Sequence, residues 1–424
     1  MGFMELTAIQ IAALQAKRAK AASLGLRSLS TEKKNQALLA VAGALAKKTD
    51  DILAANAIDM ENLLEKRSDA SKALQSRLIL TKEKIKAIVE GVITVAGLPD
   101  PVGEVVKITE RPNGLEIKKV RIPIGVIACV YESRPNVTVD IAALALKSGN
   151  ACILRGGKES INSNTVLADI FREAVVSVGV DQEYLQFISF TDHAAVSALS
   201  KLDKYIDLII PRGGEKLIDA VCDGATVPVL RHRKGITHIY AAASANLDMA
   251  IKIIHNAKTS NPSACNSLEH ALIDAKVADK ILPELLKKLK ESGVEVRGDE
   301  KVQVIVPEVV LATNVDWLTE YLDYIISIKI VDGLGEAIAH INKYSTNLSD
   351  GIITEDESEA QKFVSAVDSA ATYVNASTRF TDGSEFGLGA EIGINTSKIH
   401  GMGPMGLEEL TVTRYIVLGN GQIR

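Results

Sequence analysis

Cys265 stands in the stretch NAKTSNPSACNSLEHALI (256–273), in a polar turn directly ahead of an alternating, strand-like run. A thiolate is the strongest ordinary nucleophile that a side chain offers near neutral pH, and it forms thioesters with acyl groups. Asn261, Pro262, Ser263 and Asn266 around it are polar or turn-forming, so the Cys265 N–H can face an oxyanion. A small residue in a turn would read the same way, and composition alone does not separate the two. The other cysteines, Cys129 in VIACVYE, Cys152 in NACILR and Cys222 in LIDAVCDG, lie in or beside apolar runs and read as inert core.

Two strand-like runs end in glycine pairs beside cations: Arg155-Gly156-Gly157-Lys158 and Arg212-Gly213-Gly214. In an open α/β sheet, ligands bind beyond the carboxyl ends of strands, where helix N-termini offer N–H groups. Glycine lets a phosphate approach the backbone, and Arg or Lys matches its charge. Two such ends in one sheet point to a dinucleotide. The cations after ACILR, the second strand of the pattern, favour NADP, because NAD enzymes often carry an acid there. Either RGG alone reads equally as a turn with exposed arginines. A Walker loop is excluded, since Lys158 is followed by Glu159 rather than Ser or Thr, and GxGxxG is absent from both of these strand ends. The seven histidines show no His-x-x-x-His spacing, so no metal site is expected. The glycine-rich stretch RFTDGSEFGLGAEIGINT (379–396) is a binding loop or a connector between domains.

The elements that must hold these residues are those of an α/β protein. At 424 residues the chain has room for two or three domains, and 47% hydrophobic with 24% charged residues is an ordinary globular balance. A net charge of −5 leaves no basic footprint for nucleic acid. No apolar run reaches the ~18–20 residues that cross a bilayer, and MGFMELTAIQ lacks the layout of a secretory signal. Four cysteines without a CxxC pair argue against a disulfide framework or zinc ribbon, so a reducing cytoplasm is expected.

From Leu6 to about Arg67 apolar residues recur at helical spacing, and Ser30, Thr31 and Glu32, then Thr81 and Glu83, mark helix starts. Asn113-Gly114 is a hairpin turn. IGVIACVYE, ACILRGG, YLQFIS and DLIIPRGG then alternate with helices such as VDIAALALKSG (139–149), which predicts a parallel sheet covered on both faces. After ITHIYAAASA the alternation begins again, giving a second α/β domain. The strand-like tail LEELTVTRYIVLGNGQIR belongs to neither core, and its natural partner is the Asn113 hairpin, of its own chain or of a neighbouring subunit.

RIPIGVIACVYESRPNVTVD, LALKSGNACILRGGKES, IIPRGG, NAKTSNPSACNSLE, AIAHINKYSTNLSDGI and YVNASTRFTDGSEFGLGAEIGINTSKIHGMGPMGLEEL together resemble the γ-glutamyl phosphate reductase family of the aldehyde dehydrogenase superfamily, in the same order over nearly the whole chain. The resemblance implies an aldehyde dehydrogenase-like α/β fold: two Rossmann-like parallel-sheet domains plus a small β oligomerisation arm. An NADP-binding domain (1–103 and 123–234), a catalytic domain (235–404) and an arm (104–122 and 405–424) are expected. It also implies NADPH-dependent reduction of L-glutamyl 5-phosphate to L-glutamate 5-semialdehyde in proline synthesis, by a cytoplasmic homodimer or homotetramer. Its implied partners are the small acyl phosphate and the glutamate kinase that supplies it.

Residue by residue, the resemblance makes Cys265 the catalytic cysteine and Asn136 the amide that helps hold the oxyanion. Arg155 and Lys158 match the strand end that contacts the adenosine ribose and its phosphate. Gly213 and Gly214, beside Arg212, fall where the pyrophosphate approaches, and Glu320 matches the glutamate on the nicotinamide ribose. A substrate with phosphate and carboxylate charges needs cations; Arg134 and Arg379 are the candidates, each also readable as a solvent-exposed arginine. Two departures stand out. Where aldehyde-oxidising relatives carry a general-base glutamate, this chain reads LRHRKGITHIY, with Arg231 near that place. Where the family has a histidine before Ser-Asp, this chain has Leu348. The alternatives are an NADP-linked semialdehyde dehydrogenase working oxidatively on another small acid, and a non-catalytic scaffold that binds the kinase.

Overall fold

The structure, a computed structural model, describes residues 7–67, 71–190, 193–231 and 234–424. Leu6, where the first helical pattern was read to begin, and the signal-peptide reading of the first residues lie outside the described residues. Contacts divide the chain into two compact units, the first formed by the described parts of 1–231 with 387–393 and 405–424, the second by the rest.

Five helices open the first unit: Ala8–Leu26, Thr31–Lys47, Thr49–Lys66, Lys72–Leu78 and Lys82–Gly97. Thr7, Ser30 and Thr81 cap three of them, each accepting the N–H three residues on, which satisfies a donor the helix cannot. The first helix buries Ala12, Ala16 and Ala19, small side chains that let it lie against the sheet. Gly114, at φ +83, turns a hairpin between β1 (Val105–Glu110) and β2 (Glu116–Pro123). The chain then becomes apolar. β3 (Val126–Tyr131), β4 (Ala151–Arg155), β5 (Leu185–Phe187) and β6 (Leu208–Arg212) form a parallel sheet in the order β5-β4-β3-β6, with every residue of the first two buried. The helices Asn136–Lys147 and Ile161–Ser177 connect them.

The second unit is a seven-stranded parallel sheet: β7 (Thr237–Ala241), β8 (Leu268–Asp274), β9 (Glu295–Gly298), β10 (Val310–Leu311), β11 (Ile325–Val331), β12 (Ser349–Ile353) and β13 (Ala371–Val374), ordered β10-β9-β11-β8-β7-β12-β13. The short strands β14 (Ile394–Asn395) and β15 (Gly403–Pro404) pair antiparallel beside it in sequence. Finally β16 (Thr411–Leu418) pairs with β2, from Thr411 opposite Pro123 to Leu418 opposite Glu116. The tail thus pairs with the hairpin of its own chain. Asn150 ties this arm to the unit, donating to Leu410 O and accepting from Gly125 N.

The glycine-rich stretch crosses between units. Residues 387–393, placed by the sequence within 235–404, pack with the first unit, because Ile392 N bonds Met405 O, Met405 N bonds Gly393 O, and both side chains are buried in its core.

Candidate active site

In the second unit the Cys265 turn is held by backbone. Ala264 N donates to Asn261 O and Ser267 N to Ala264 O, which winds the chain tightly before β8. A Cβ on Gly235 would lie 1.9 Å from Cys265 O and 2.9 Å from its Cα, so only glycine fits there. Gly235 N in turn donates to Glu320 Oε1 at 2.8 Å. Asn266, buried beside the thiol, donates to Thr381 O at 2.8 Å and Arg379 O at 3.3 Å, and Thr378 Oγ1 returns a bond to Asn266 O. The Arg379 Nε reaches Ser260 Oγ at 3.2 Å. The structure therefore brings Cys265, Glu320 and Arg379 around one turn, with Cys265 itself half-buried.

Beneath the turn, Lys258 and Glu269 form a fully buried ion pair at 2.9 Å. Burial pushes the Glu269 carboxyl up and the Lys258 ammonium down, each opposed by the other's charge. Glu269 also accepts Leu322 N, which joins the pair to the Glu320 segment. Gly235 and this pair escaped sequence reading; a glycine amid five polar or charged neighbours was the only signal for the first. Arg231 is assigned to the first unit, and Gly235 of LRHRKGITHIY meets the cysteine within the second. Leu348 is fully buried.

In the first unit, Asn136 is the first residue of its helix, which begins three residues before the sequence pattern because Pro135 and the strained Ser133 (φ +33) turn the chain out of β3. A buried polar chain pins this turn to the loop after β4: Tyr131 OH to Thr138 Oγ1 at 2.6 Å, Thr138 to Asn164 Oδ1, and Asn164 Nδ2 to Ser160 Oγ. Asn136 Nδ2 donates to Asp140 Oδ2 at 2.8 Å, one helical turn on. Burial pushes the Asp140 carboxyl up to about 6, against the Asn136 bond and the Arg212 charge. Arg134 is exposed and lines a cavity together with Asn136 and Asp140.

The two glycine-rich strand ends differ. Arg155 is buried at the end of β4, and Lys158 is exposed at the start of the next helical turn. Gly156 is required by packing, since a Cβ there would lie 2.1 Å from Asn164 Nδ2. After β6, Gly214 N donates to Glu132 Oε2 at 3.0 Å, so a carboxylate sits on the helix N-terminus where an anion was expected. Arg212 turns aside to Glu391, donating to its backbone O at 3.5 Å.

The remaining cysteines separate by burial. Cys129 and Cys152 are fully buried, and burial pushes the Cys129 thiol up to about 12 and Cys152 further up. Cys222, read as core, is only half-buried.

Scattered in sequence, three histidines meet in the second unit. His238 and His270 face each other across β7 and β8, and His340 closes on them, with one ligand atom of each within 4.8 Å of the others. Asp350 holds the His238 Nδ1 at 3.0 Å. The His238 and His270 rings stack with 18° between their planes. A metal lies in the plane of each imidazole that binds it, so these two rings as placed cannot share an ion.

Among known proteins, residues 6–324 match the aldehyde dehydrogenase family. A γ-glutamyl phosphate reductase of Halothermothrix orenii is 51% identical over 410 residues, 97% of this chain and 98% of its own. Another, of Dictyoglomus thermophilum, is 50% identical over 96% of this chain and 98% of its own. The crystal structure of γ-glutamyl phosphate reductase from Thermotoga maritima superposes with a TM-score of 0.95 at 47% identity, covering 97% of this chain and 99% of that one. An engineered glycolyl-CoA reductase with bound NADP+ shares the fold, at 12% identity, a TM-score of 0.68 and 96% coverage of both chains.

Proposed function

Because the chain belongs to the aldehyde dehydrogenase family, and within it to the γ-glutamyl phosphate reductases, we propose that it reduces L-glutamyl 5-phosphate to L-glutamate 5-semialdehyde with NADPH, releasing phosphate, as a cytoplasmic step of proline synthesis. The observation that carries this reading is the Cys265 turn wedged on Gly235. Residues 230–240, which supply that glycine, contain no carboxylate to draw a proton from water. Hydrolysing a thioester needs such a base; reducing one does not.

The Cys265 thiolate attacks C5 of the acyl phosphate, and the oxyanion is held by the Cys265 N–H and the Asn136 amide. Phosphate leaves in preference to the thiolate, and a thioester remains. On this reading Arg155 and Lys158 at the end of β4 would hold the adenosine ribose and its phosphate, Gly213 and Gly214 with Arg212 at the end of β6 the pyrophosphate, and Glu320 the second ribose. Support comes from Gly214 N, whose bond to the Glu132 carboxylate is the kind an anionic phosphate makes. NADPH held by these residues would supply the hydride for reduction of the thioester carbonyl. The same oxyanion donors serve this second step, and collapse returns the thiolate and frees the aldehyde. Arg134 and Arg379 serve the substrate's anionic groups.

The β1-β2-β16 arm exposes Ile108, Tyr415 and Val417, which suits it to contact between copies in a homodimer or homotetramer. A glutamate kinase, source of the labile acyl phosphate, is the natural partner.

The test is the reverse assay, glutamate 5-semialdehyde with NADP+ or NAD+, with and without phosphate, on wild type and Cys265→Ala. Wild type should reduce NADP+ beyond one equivalent per site only when phosphate is present, and Cys265→Ala should lose more than about 10³-fold. Equal rates without phosphate would mean hydrolytic oxidation instead.

A further inference from the structure

A cavity of about 420 Å³ opens in the first unit over Asn136. Three cations line it, Arg77, Lys84 and Arg134, as a substrate with anionic groups requires. Its single acid, Asp140, does not suit such a substrate: a half-buried carboxylate repels every one of those groups. The chemistry of an α-amino acid resolves this, because its end carries one carboxylate and one ammonium. Asp140 uses only Oδ2 to accept from Asn136, and its Oδ1 accepts no hydrogen bond from the described residues.

We propose that Asp140 is a specificity-determining residue that receives the α-ammonium of the glutamyl chain, while the Arg77 and Arg134 guanidiniums take its α-carboxylate. The inference rests on the reading of the site as an acyl-phosphate reductase and names the feature of the substrate that it selects. Spacing supports it. Asn136 Nδ2 lies 2.8 Å from Asp140 Oδ2, and a substrate oxygen on the first and an ammonium on Asp140 Oδ1 each stand off by a further hydrogen bond of roughly 2.9 Å. The reacting C5 and the α-nitrogen are four bonds apart, roughly 5 Å when extended. A chain whose C5 oxygen meets Asn136 therefore brings its ammonium to Asp140. Leu80 and Ile88 give the methylenes an apolar wall, and Lys84 braces the rim by donating to Ser76 O at 2.7 Å and Ile79 O at 2.8 Å. With its carboxyl raised only to about 6, Asp140 is ionised at neutral pH, as this role needs. Holding the ammonium extended also serves the chemistry. A free amine would attack C5, lose a proton, expel the phosphate or thiolate and close a five-membered lactam.

The experiment compares glutamate 5-semialdehyde with 5-oxopentanoate, the same chain without the amino group, in the phosphate-dependent reverse assay. For Asp140→Asn, the ratio of kcat/KM for the two aldehydes should fall tenfold or more, through KM, and Asp140→Glu should recover part of it. A ratio unchanged from wild type, including a parallel loss on both aldehydes, overturns the proposal, because Asp140 would then only prop Asn136. A wild type that reduces NADP+ with neither aldehyde overturns the reductase reading itself and is told apart by that result.

Discussion

The two parallel sheets carry their candidate residues on opposite edges. In the first unit Arg155 ends β4, Arg212 ends β6 and Asn136 follows β3, so all lie beyond carboxyl ends. In the second, Gly235 precedes β7, Cys265 precedes β8 and Glu320 precedes β11, so all lie ahead of amino ends. The difference matches what the proposed function asks of each edge. Phosphates and a flexible chain need loops rich in helix N–H groups and cations, which carboxyl ends supply. A nucleophile needs its own N–H aimed and its sulfur fixed, and a turn jammed against neighbouring backbone provides that. Side chains build the first edge; main chain builds the second.

If so, glycines on the two edges should respond very differently. Gly235→Ala forces a Cβ to 1.9 Å from a backbone oxygen, and should cost about 3 kcal/mol or more and over a hundredfold in turnover. Gly214→Ala meets its nearest neighbour only at 3.9 Å and should stay within about 0.5 kcal/mol. Urea unfolding of both variants decides, and similar losses would erase the contrast. At the carboxyl edge the sensitive element is instead a side chain. Asn136→Ala should lower kcat roughly a hundredfold, the usual loss of one oxyanion donor, while dinucleotide binding by fluorescence titration is retained. A near-wild-type rate removes Asn136 from the mechanism.

A further contrast separates the units by acid. Burial lowers His340 to about 3 and His270 well below 6.5. The unfolded chain therefore binds protons that the second unit cannot, and stability present above pH 6.5 is lost as pH falls towards 3. His340 contributes about 1.4 kcal/mol per pH unit within that window, and His270 acts in the same direction. Trp317, the sole tryptophan, packs on both rings, at 5.6 Å from His270 and 5.3 Å from His340, and reports on that unit. Its fluorescence should change at higher pH than the far-UV circular dichroism of the whole chain; coincident midpoints would contradict the assignment.

What was legible in the sequence follows the same division. Strands such as Val126–Tyr131 announce themselves by unbroken apolar runs, and the Cys265 turn by local composition, because both depend on neighbours in the chain. The Gly235–Cys265 contact spans separate segments, and only the isolated glycine in a polar run hints at it. The histidine cluster is likewise assembled only by strand register. Asp140 was within reach, since i and i+4 share a helix face, but the helix was read from Val139 and Asn136 fell outside it. Glu132 on Gly214 shows the limit of reading RGG as an anion site: the donor was identified, its occupant was not.

Everything returns to sulfur. Mixing the protein with glutamate 5-semialdehyde and NADP+ without phosphate, quenching in acid within seconds and mapping peptides by mass should find a glutamyl group on Cys265, discharged when phosphate is added first. NADPH formed while that peptide stays unmodified would contradict the thioester and the mechanism built on it.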